Sequence, residues 1–307
     1  AGAAAGAAAR PDCATGDASC CDAASSPAER EAELETQVRA ILFHQVSTTS
    51  LSLSLIQPRN EMMANTLRPE QVATQVNAAA SLVGALEFVL TPTIGVLSDR
   101  MGRRPMMLLA PAVGFATRLA AALRPSSLLL TVERVANDLA RALVGTTMCH
   151  SALADAFKGG GALTHALARC SSAMGVGMIF APFLGQVATR RGGPRAAVAA
   201  AAAFTALQLA IEWQVLHLPP LEECGGSPGS AGVGVQTVSN PLGFMKLFFS
   251  CGPRVRAISA ILALQCAIDG KLLQDQISLM QMFHGGWTLT QRSLWSSAFG
   301  LAITLGG

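Results

Sequence analysis

Apolar segments long enough to cross a lipid bilayer recur along this chain, and they constrain its fold more than any other feature. A transmembrane helix needs about 20 mostly apolar residues. Seven such segments are predicted, at residues 39–58, 71–97, 104–123, 127–154, 165–188, 195–216 and 256–283, and an eighth begins near Ser293. Because a bilayer offers the backbone no hydrogen-bond partners, spanning segments of this length must be helical. The sequence therefore predicts an all-α membrane protein.

Composition indicates the same class of protein. Of the 307 residues, 51% are hydrophobic and 13% are charged, whereas about 25% of the residues in an average soluble domain are charged. The net charge is +3, and basic stretches are not interleaved with aromatic residues as a stacking platform requires. We therefore expect no nucleic-acid partner. The alternative to a membrane protein is a soluble helical protein rich in Ala, because Ala is only weakly apolar.

The pattern along the chain predicts four regions. Residues 1–33 are of low complexity and are predicted to be disordered. Residues 34–216 hold six of the predicted spans and would form a six-helix transmembrane bundle. Residues 217–255 contain a Gly/Ser-rich stretch and read as a cytoplasmic linker. Residues 256–307 would begin a second bundle, and because the eighth apolar run reaches the chain end, we expect the chain to be a fragment.

The distribution of Lys and Arg predicts the orientation in the membrane, since cytoplasmic loops carry an excess of these residues. If the N-terminus is cytoplasmic, eleven of the 22 basic residues lie on the cytoplasmic side, seven lie on the opposite side, and four fall within spans. We therefore expect a multi-pass protein with a cytoplasmic N-terminus. The choice between a plasma membrane and an organelle membrane stays open.

A basic turn separates the second and third predicted spans. Its defining residues are Gly95, Leu97, Asp99, Arg100, Gly102, Arg103, Arg104 and Pro105. Gly95 would permit a close helix approach, Gly102 would supply the turn conformation, and Pro105 suits the first turn of the next helix. The arginines favour a cytoplasmic position. Asp99 can accept hydrogen bonds from an Arg side chain or from helix N-terminal amides.

This turn resembles the signature loop of the major facilitator superfamily, G-x-L-x-D-R-x-G-R-R-P, at every defined position. Among the members of that superfamily, the chain is loosely similar to drug/proton antiporters and to the hippocampus-abundant-transcript-like group. The resemblance implies a secondary transporter in which two helical bundles alternately expose a small solute, usually driven by a proton gradient. An alternative is a transporter-like membrane protein that binds or escorts partners without transporting a solute.

The fifth predicted span carries a small residue at every fourth position, from Ala173 onward. In lipid, such a face lets two helix backbones approach closely. The residues Gly177, Ala181, Pro182 and Gly185 are similar to the fifth-helix motif of the superfamily, with Ala181 where Gly usually precedes Pro, and Pro182 is expected to kink the helix. The face is either a plain packing surface or a part of the transport mechanism.

Three charged residues share one face of the fourth predicted span. Arg134, Asp138 and Arg141 follow one another at i, i+4 and i+7, and ionisable residues inside spans are expensive and often functional. They form either a site for an anion or a carboxylate substrate, or an internal ion pair that neutralises itself. The superfamily also has an Arg near the start of this helix and an Ala-Asp pair near its cytoplasmic end, which Arg134 and Asp155 resemble.

Two further carboxylates are candidates for substrate binding or ion coupling. Glu87 lies midway along the second predicted span, where burial would raise a carboxyl pKa toward neutrality and suit a proton carrier; alternatively it pairs with Arg118 or Arg141. Asp269 lies beside Gly270 in the seventh segment, where a broken helix would resemble a transporter site; alternatively it pairs with Lys271.

Signatures of enzymes are absent from the sequence. It contains no G-x-S-x-G elbow, no H-E-x-x-H pair and no Walker loop, so we expect neither catalysis nor ATP-driven transport. The eight cysteines form no C-x-x-C pair. We expect no metal site and no cofactor, and we expect the partners to be a small-molecule substrate and the lipid bilayer.

Overall fold

The structure is a computed structural model that describes residues 27–157, 160–216, 249–268 and 272–306. The regular elements in these ranges are all helices, as predicted. They are α1 (Pro27–Ser54), α2 (Ile56–Ala64), α3 (Pro69–Met101), α4 (Arg103–Leu123), α5 (Ser127–Ala140), a π-helical turn (Arg141–Thr146), α6 (Thr147–Ala156), α7 (Gly160–Val215), α8 (Pro253–Ile268), α9 (Leu272–Phe283) and α10 (Leu289–Gly306).

The first helix begins earlier than the sequence pattern predicted. Residues 27–33 were expected to belong to a disordered tail, but α1 starts at Pro27. Two local features favour a helix start there. Proline is well suited to the first helical position, where its missing N–H has no intrahelical role, and Glu29 in the first turn complements the positive end of the helix dipole.

The first predicted span is interrupted near its end. We expected one span over residues 39–58, ending at Pro58, but α1 ends at Ser54 and α2 runs through Pro58 to Ala64. A proline cannot donate to the carbonyl four residues earlier, which here belongs to Ser54. The helix therefore breaks four residues before Pro58, and the backbone N–H of Arg59 bonds to the Leu55 carbonyl at 3.0 Å.

The fourth predicted span is continuous but irregular. Helices α5 and α6 are joined by the π-helical turn Arg141–Thr146, so the chain stays helical from Ser127 to Ala156. A π-helical turn inserts one extra residue into the helix, and such turns are frequent at functional sites. Here the turn begins at Arg141, one of the candidate site residues.

The fifth and sixth predicted spans form the two parts of α7. Gly193, with a φ of +80°, separates these parts within the range Gly160–Val215. Left-handed backbone of this kind favours glycine because it has no Cβ, and Pro194 then begins the second part at a favourable position. The connection expected between the predicted spans 165–188 and 195–216 is therefore present.

Helix α7 is the centre of the packing. Its first part contacts α1 and α10, and its second part contacts α4. Two apolar clusters occupy opposite ends of the bundle: one contains Ile41, Met107 and Leu153, and the other contains Val72 and Ala121. Between these clusters, each of α1, α4, α5 and the second part of α7 contributes at least one buried polar side chain. The interior is thus apolar at both ends and polar at mid-height.

Three of the described helices are long and apolar enough to cross a membrane: Pro69–Met101, Arg103–Leu123 and Gly160–Val215. The other predicted spans are shorter or more polar as single helices. Helices α5 and α6 have only 14 and 10 residues because the π-helical turn divides them. The seventh predicted span corresponds to α8 and α9, and residues 269–271, including Asp269, lie outside the described residues.

Candidate functional site

The polar middle of the bundle contains an ion cluster that we define by Arg59, Arg118, Glu133, Arg134, Asp138 and Arg141. Two of these residues, Arg59 of α2 and Glu133 of α5, form a buried ion pair. The Nη1 atom of Arg59 lies 2.9 Å from Oε2 of Glu133, and both side chains are 2% exposed. Arg118 of α4 approaches the other carboxylate oxygen of Glu133 at 3.8 Å. One carboxylate thus holds two guanidinium groups from different helices.

Neutral side chains complete the environment of Arg118. Its Nη2 atom donates a 2.6 Å hydrogen bond to Oδ1 of Asn137, and its Nη1 atom donates to Oγ1 of Thr205 in α7. Ser52 of α1 donates to the same Asn137 oxygen at 3.3 Å. Four helices therefore meet at this arginine and its partners.

The three residues predicted on one face of the fourth span do come together. Oδ2 of Asp138 lies 3.7 Å from Nε of Arg134, and its Oδ1 lies 4.0 Å from Nη2 of Arg141. These distances exceed those of charge-assisted hydrogen bonds. Arg134 is buried, whereas the side chains of Asp138 and Arg141 are about a fifth exposed, at 20% and 22%. The cluster is therefore buried around Glu133 and accessible to solvent at Asp138 and Arg141.

A buried contact between a histidine and a carboxylate joins α1 to the second part of α7. Nδ1 of His44 lies 3.0 Å from Oε2 of Glu212, and both side chains are inaccessible to solvent. Gln208 donates from Nε2 to Oε1 of Glu212 at 2.6 Å and to Oγ1 of Thr48 at 2.9 Å. These four residues form a polar connection between α1 and the second part of α7.

Both arginines that were considered as partners of Glu87 have another carboxylate within ion-pair distance. Glu133 lies 3.8 Å from Arg118, and Asp138 lies 4.0 Å from Arg141. Glu87 itself is half-buried on α3, and its backbone carbonyl accepts a hydrogen bond from Oγ1 of Thr91 at 2.6 Å. Its role as a proton carrier stays a prediction.

The signature loop forms the junction between α3 and α4. Gly102, with a φ of +88°, ends α3 and precedes α4, so it supplies the turn as expected. Arg103 lies 2.8 Å from Asp99 through Nη2 and 2.8 Å from Asp155 of α6 through Nε. A further contact joins Arg103 to Oγ of Ser98. This single arginine therefore ties the end of α3 to the end of α6.

Two other loop residues differ in their surroundings. Arg104 donates from Nη2 to the backbone carbonyl of Trp213 at 2.8 Å, and its guanidinium lies 5.6 Å from the centroid of that indole ring.

Gly95 was expected to allow a close helix approach, but a Cβ added there meets nothing within 4 Å among the described residues. The expectation for Gly95 is therefore wrong in this structure, because that face of α3 is open. Arg100 is exposed and Pro105 lies in the first turn of α4.

The small-residue face of the fifth predicted span packs against α1. A Cβ on Gly177 would lie 2.9 Å from the carbonyl oxygen of Val46, and a Cβ on Gly185 would overlap the carbonyl of Ser54. Ser50 donates to the Gly177 carbonyl at 3.2 Å, which fixes the register of the two helices. Ala181 and Pro182, which lie between these two glycines, are also buried. The face is therefore a packing surface.

Three residues of the polar interior were not singled out from the sequence. Arg59 follows the first predicted span, Glu133 precedes the candidate Arg134, and Glu212 lies near the end of the sixth segment. Only Glu212 is a single charge in an otherwise apolar stretch, which is a signal of a functional residue. Among the residues described, no group of three or more His, Cys, Asp or Glu side chains could hold a metal ion.

Comparison with known families identifies one match. The family model described as Major Facilitator Superfamily matches residues 48–307, which includes the signature loop, the fifth-helix face and the ion cluster. A comparison with curated proteins gave no match.

Proposed function

Because the chain belongs to the major facilitator superfamily, it is an integral membrane protein of a transporter family, and we propose that it moves a small solute by alternating access as a secondary active transporter. The energy source in this proposal is an ion gradient, with protons as the coupling ion. The substrate would bind beside the ion cluster, where Asp138 and Arg141 are accessible. In this proposal the N-terminus and the signature loop face the cytoplasm.

The observation that carries the proposal is the ion cluster in the bundle interior. A charged side chain at the centre of a bilayer costs about 2.5–3.5 kcal/mol on insertion scales, and a buried ion pair is often no more stabilising than well-packed apolar residues. The cluster nonetheless contains four arginines and two carboxylates on α2, α4, α5 and the π-helical turn. A role in binding or moving a solute explains why these charges are buried at such a cost in free energy, whereas a role in stability does not.

The packing of α7 supports movement of the first bundle as one body. The close contacts of Gly177 and Gly185 with the backbone of α1 leave little room for these helices to slide. The contacts of Arg103 with Asp99 and Asp155 hold the loop ends of α3 and α6 together. A bundle fixed at both its middle and its end suits rocking motion in a transporter.

Two sites are candidates for proton coupling. Glu87 is half-buried on α3, and the pair formed by His44 and Glu212 is fully buried between α1 and α7. Both contain side chains that can bind or release a proton. In the proposal a proton taken up at one of these sites changes the charge of the polar interior when the bundle opens to the other side.

The experiment that tests the proposal is solute flux into liposomes that contain the purified protein. A panel of anionic, neutral and cationic solutes is added on a solid-supported membrane, with and without an imposed pH gradient, and the currents are recorded. We expect at least one solute to give a current that the pH gradient increases. Asp138→Asn should reduce this current at least tenfold.

A matched control lies on α1, where Glu35 forms an exposed ion pair with Arg39 at 2.6 Å. Glu35→Gln should leave the current unchanged. A solute current that Asp138→Asn does not alter would contradict the placement of the substrate. A protein that binds a solute without any flux would instead support the binding or escort alternative.

A further inference from the structure

An apolar groove runs along the outer face of the bundle between α4 and the second part of α7. Its first half, with a volume of about 640 Å³, begins at Pro105 and Trp213, and its second half, of about 650 Å³, ends near Arg195. Phe115 lines both halves. The floor consists of small residues such as Ala112, Ala206 and Ala210, and larger side chains such as Leu109 form its rim.

The dimensions of the groove match those of a bilayer. Helix α4 has 21 residues, so it is about 31 Å long at 1.5 Å per residue, and the hydrocarbon core of a bilayer is about 30 Å thick. From Arg104 to Phe115 the helix rises about 16 Å by the same measure, which is about one leaflet. The first half of the groove is therefore as long as the acyl chains of one leaflet.

The two ends of the groove differ in what their arginines are bonded to. Arg195 donates to two carbonyls at the end of α4, to Ala122 at 2.8 Å and to Leu123 at 3.1 Å. Arg104 donates one hydrogen bond, from Nη2 to the Trp213 carbonyl, and its Nε atom is buried without a hydrogen-bond partner among the described residues. Its positive charge is not balanced by any carboxylate in the described ion pairs. A phosphate group would complement this charge and could accept hydrogen bonds from the terminal N–H groups of the guanidinium.

We propose that the half of the groove next to Arg104 binds one anionic phospholipid, with its acyl chains along the Ala floor and its phosphate at Arg104. The Trp213 ring lies at the end of the groove next to Arg104. Tryptophan is enriched at this level of a membrane, between the head groups and the acyl chains. This site is separate from the ion cluster, which lies inside the bundle, and it does not depend on the transport proposal. The lipid would be recognised by its net negative head group and not by its acyl chains alone.

The test uses Trp213 as the reporter. The chain carries Trp287→Phe and Trp295→Phe, which leaves Trp213 as its one tryptophan, and it is reconstituted in nanodiscs of phosphatidylglycerol and phosphatidylcholine. Quenching of Trp213 fluorescence is measured once with the phosphatidylglycerol brominated and once with the phosphatidylcholine brominated. We expect brominated phosphatidylglycerol to quench more at equal mole fraction. Arg104→Gln should lower this preference about fivefold, as about 1 kcal/mol per basic residue at a membrane surface implies.

Two controls separate the site from general attraction to the membrane. Arg100→Gln removes an exposed charge from the same loop and should leave the preference intact, and Arg104→Lys should retain most of it. Ala112→Leu fills the floor and should reduce quenching by the brominated anionic lipid. Inorganic phosphate at millimolar concentration should not compete.

Three outcomes would overturn the proposal. Equal quenching by the two brominated lipids would mean that ordinary bulk lipid fills the groove. Little quenching by either would mean that protein, from this chain or a second copy, covers it. An equal loss of preference in Arg100→Gln and Arg104→Gln would mean that the loop attracts anionic lipid without a defined site.

Discussion

At the scale of single residues, Glu133 is the side chain on which the buried charges of α2 and α4 depend. It contacts Arg59 at 2.9 Å and Arg118 at 3.8 Å, and all three side chains are buried. Glu133→Gln would leave both guanidinium groups without this carboxylate. Breaking a buried ion pair by removing one partner typically costs about 3–5 kcal/mol. We expect a clear drop in the thermal unfolding midpoint of the purified protein, measured by differential scanning fluorimetry.

The same substitution at an exposed ion pair provides the comparison. Glu35 pairs with Arg39 at 2.6 Å, but these side chains are 55% and 71% exposed. Exposed ion pairs on a helix contribute at most about 1 kcal/mol, so Glu35→Gln should leave the unfolding midpoint nearly unchanged. Equal midpoints for the two variants would show that Glu133 is not the buried partner of these arginines.

The candidate residues could be found from the sequence only in part. Arg134, Asp138 and Arg141 were recognised because three charges at helical spacing stand out in an apolar segment, and the structure places them within ion-pair distance. Arg59 and Glu133 were missed because they are 74 positions apart and their pairing depends on how α2 meets α5. Helical periodicity describes one helix at a time and carries no information on which helices touch.

At the scale of helices, the contact between α1 and the first part of α7 requires glycine at position 177. A Cβ there would lie 2.9 Å from the Val46 carbonyl and 3.0 Å from the Thr49 Cβ. Gly177→Leu should therefore separate the two helices or strain them, since overpacking typically costs about 1–3 kcal/mol. The expected results are a lower yield of monodisperse protein in size-exclusion chromatography and a lower unfolding midpoint.

A matched control is available on α3. A Cβ at Gly84 would meet nothing within 4 Å among the described residues, and leucine is a better helix former than glycine by nearly 1 kcal/mol. Gly84→Leu should therefore fold at least as well as the unmodified chain. If Gly177→Leu matched it in yield and in unfolding midpoint, the face of Gly177 would not be a helix contact.

Helix boundaries followed the sequence where a single residue determines the backbone. Gly102 and Gly193 adopt positive φ angles at two connections between predicted spans. The boundary at Pro58 was placed wrongly because proline interrupts the hydrogen bond to a carbonyl one turn earlier, so the break falls at Leu55. The π-helical turn at Arg141 left no local signal in the sequence, and its extra residue depends on the packing of the neighbouring helices.

At the scale of the whole molecule, the orientation in the membrane is a prediction that cysteine labelling can check. Met101, the last residue of α3, is 56% exposed, and Arg124 at the far end of α4 is also exposed. In a background without the native cysteines, Met101→Cys should resist a membrane-impermeant thiol reagent in intact cells, because the signature loop is expected in the cytoplasm. Arg124→Cys should react, and both should react after permeabilisation. The reverse pattern would invert the topology.

The signature loop gives the last prediction, which concerns the balance between transport states. Asp99 is 56% exposed in its side chain and contacts Arg103 at 2.8 Å. For stability alone this exposed pair contributes at most about 1 kcal/mol, so Asp99→Asn should leave the unfolding midpoint almost unchanged. Arg103, however, also contacts Asp155 at 2.8 Å. In Asp99→Asn, Asp155 would be the one carboxylate left of these two partners of Arg103.

We expect the loss of the Asp99 contact to shift the populations of the inward-facing and outward-facing states, because Arg103 links the ends of α3 and α6 through Asp99 and Asp155. A bias of about 1.4 kcal/mol changes the ratio of two states tenfold. Solute flux by Asp99→Asn should therefore fall severalfold at equal surface expression, and Asp155→Asn, which removes the other contact of Arg103, should have an effect of comparable size. Normal flux in both variants would show that the ion pairs of Arg103 only stabilise the loop and take no part in the exchange between the states.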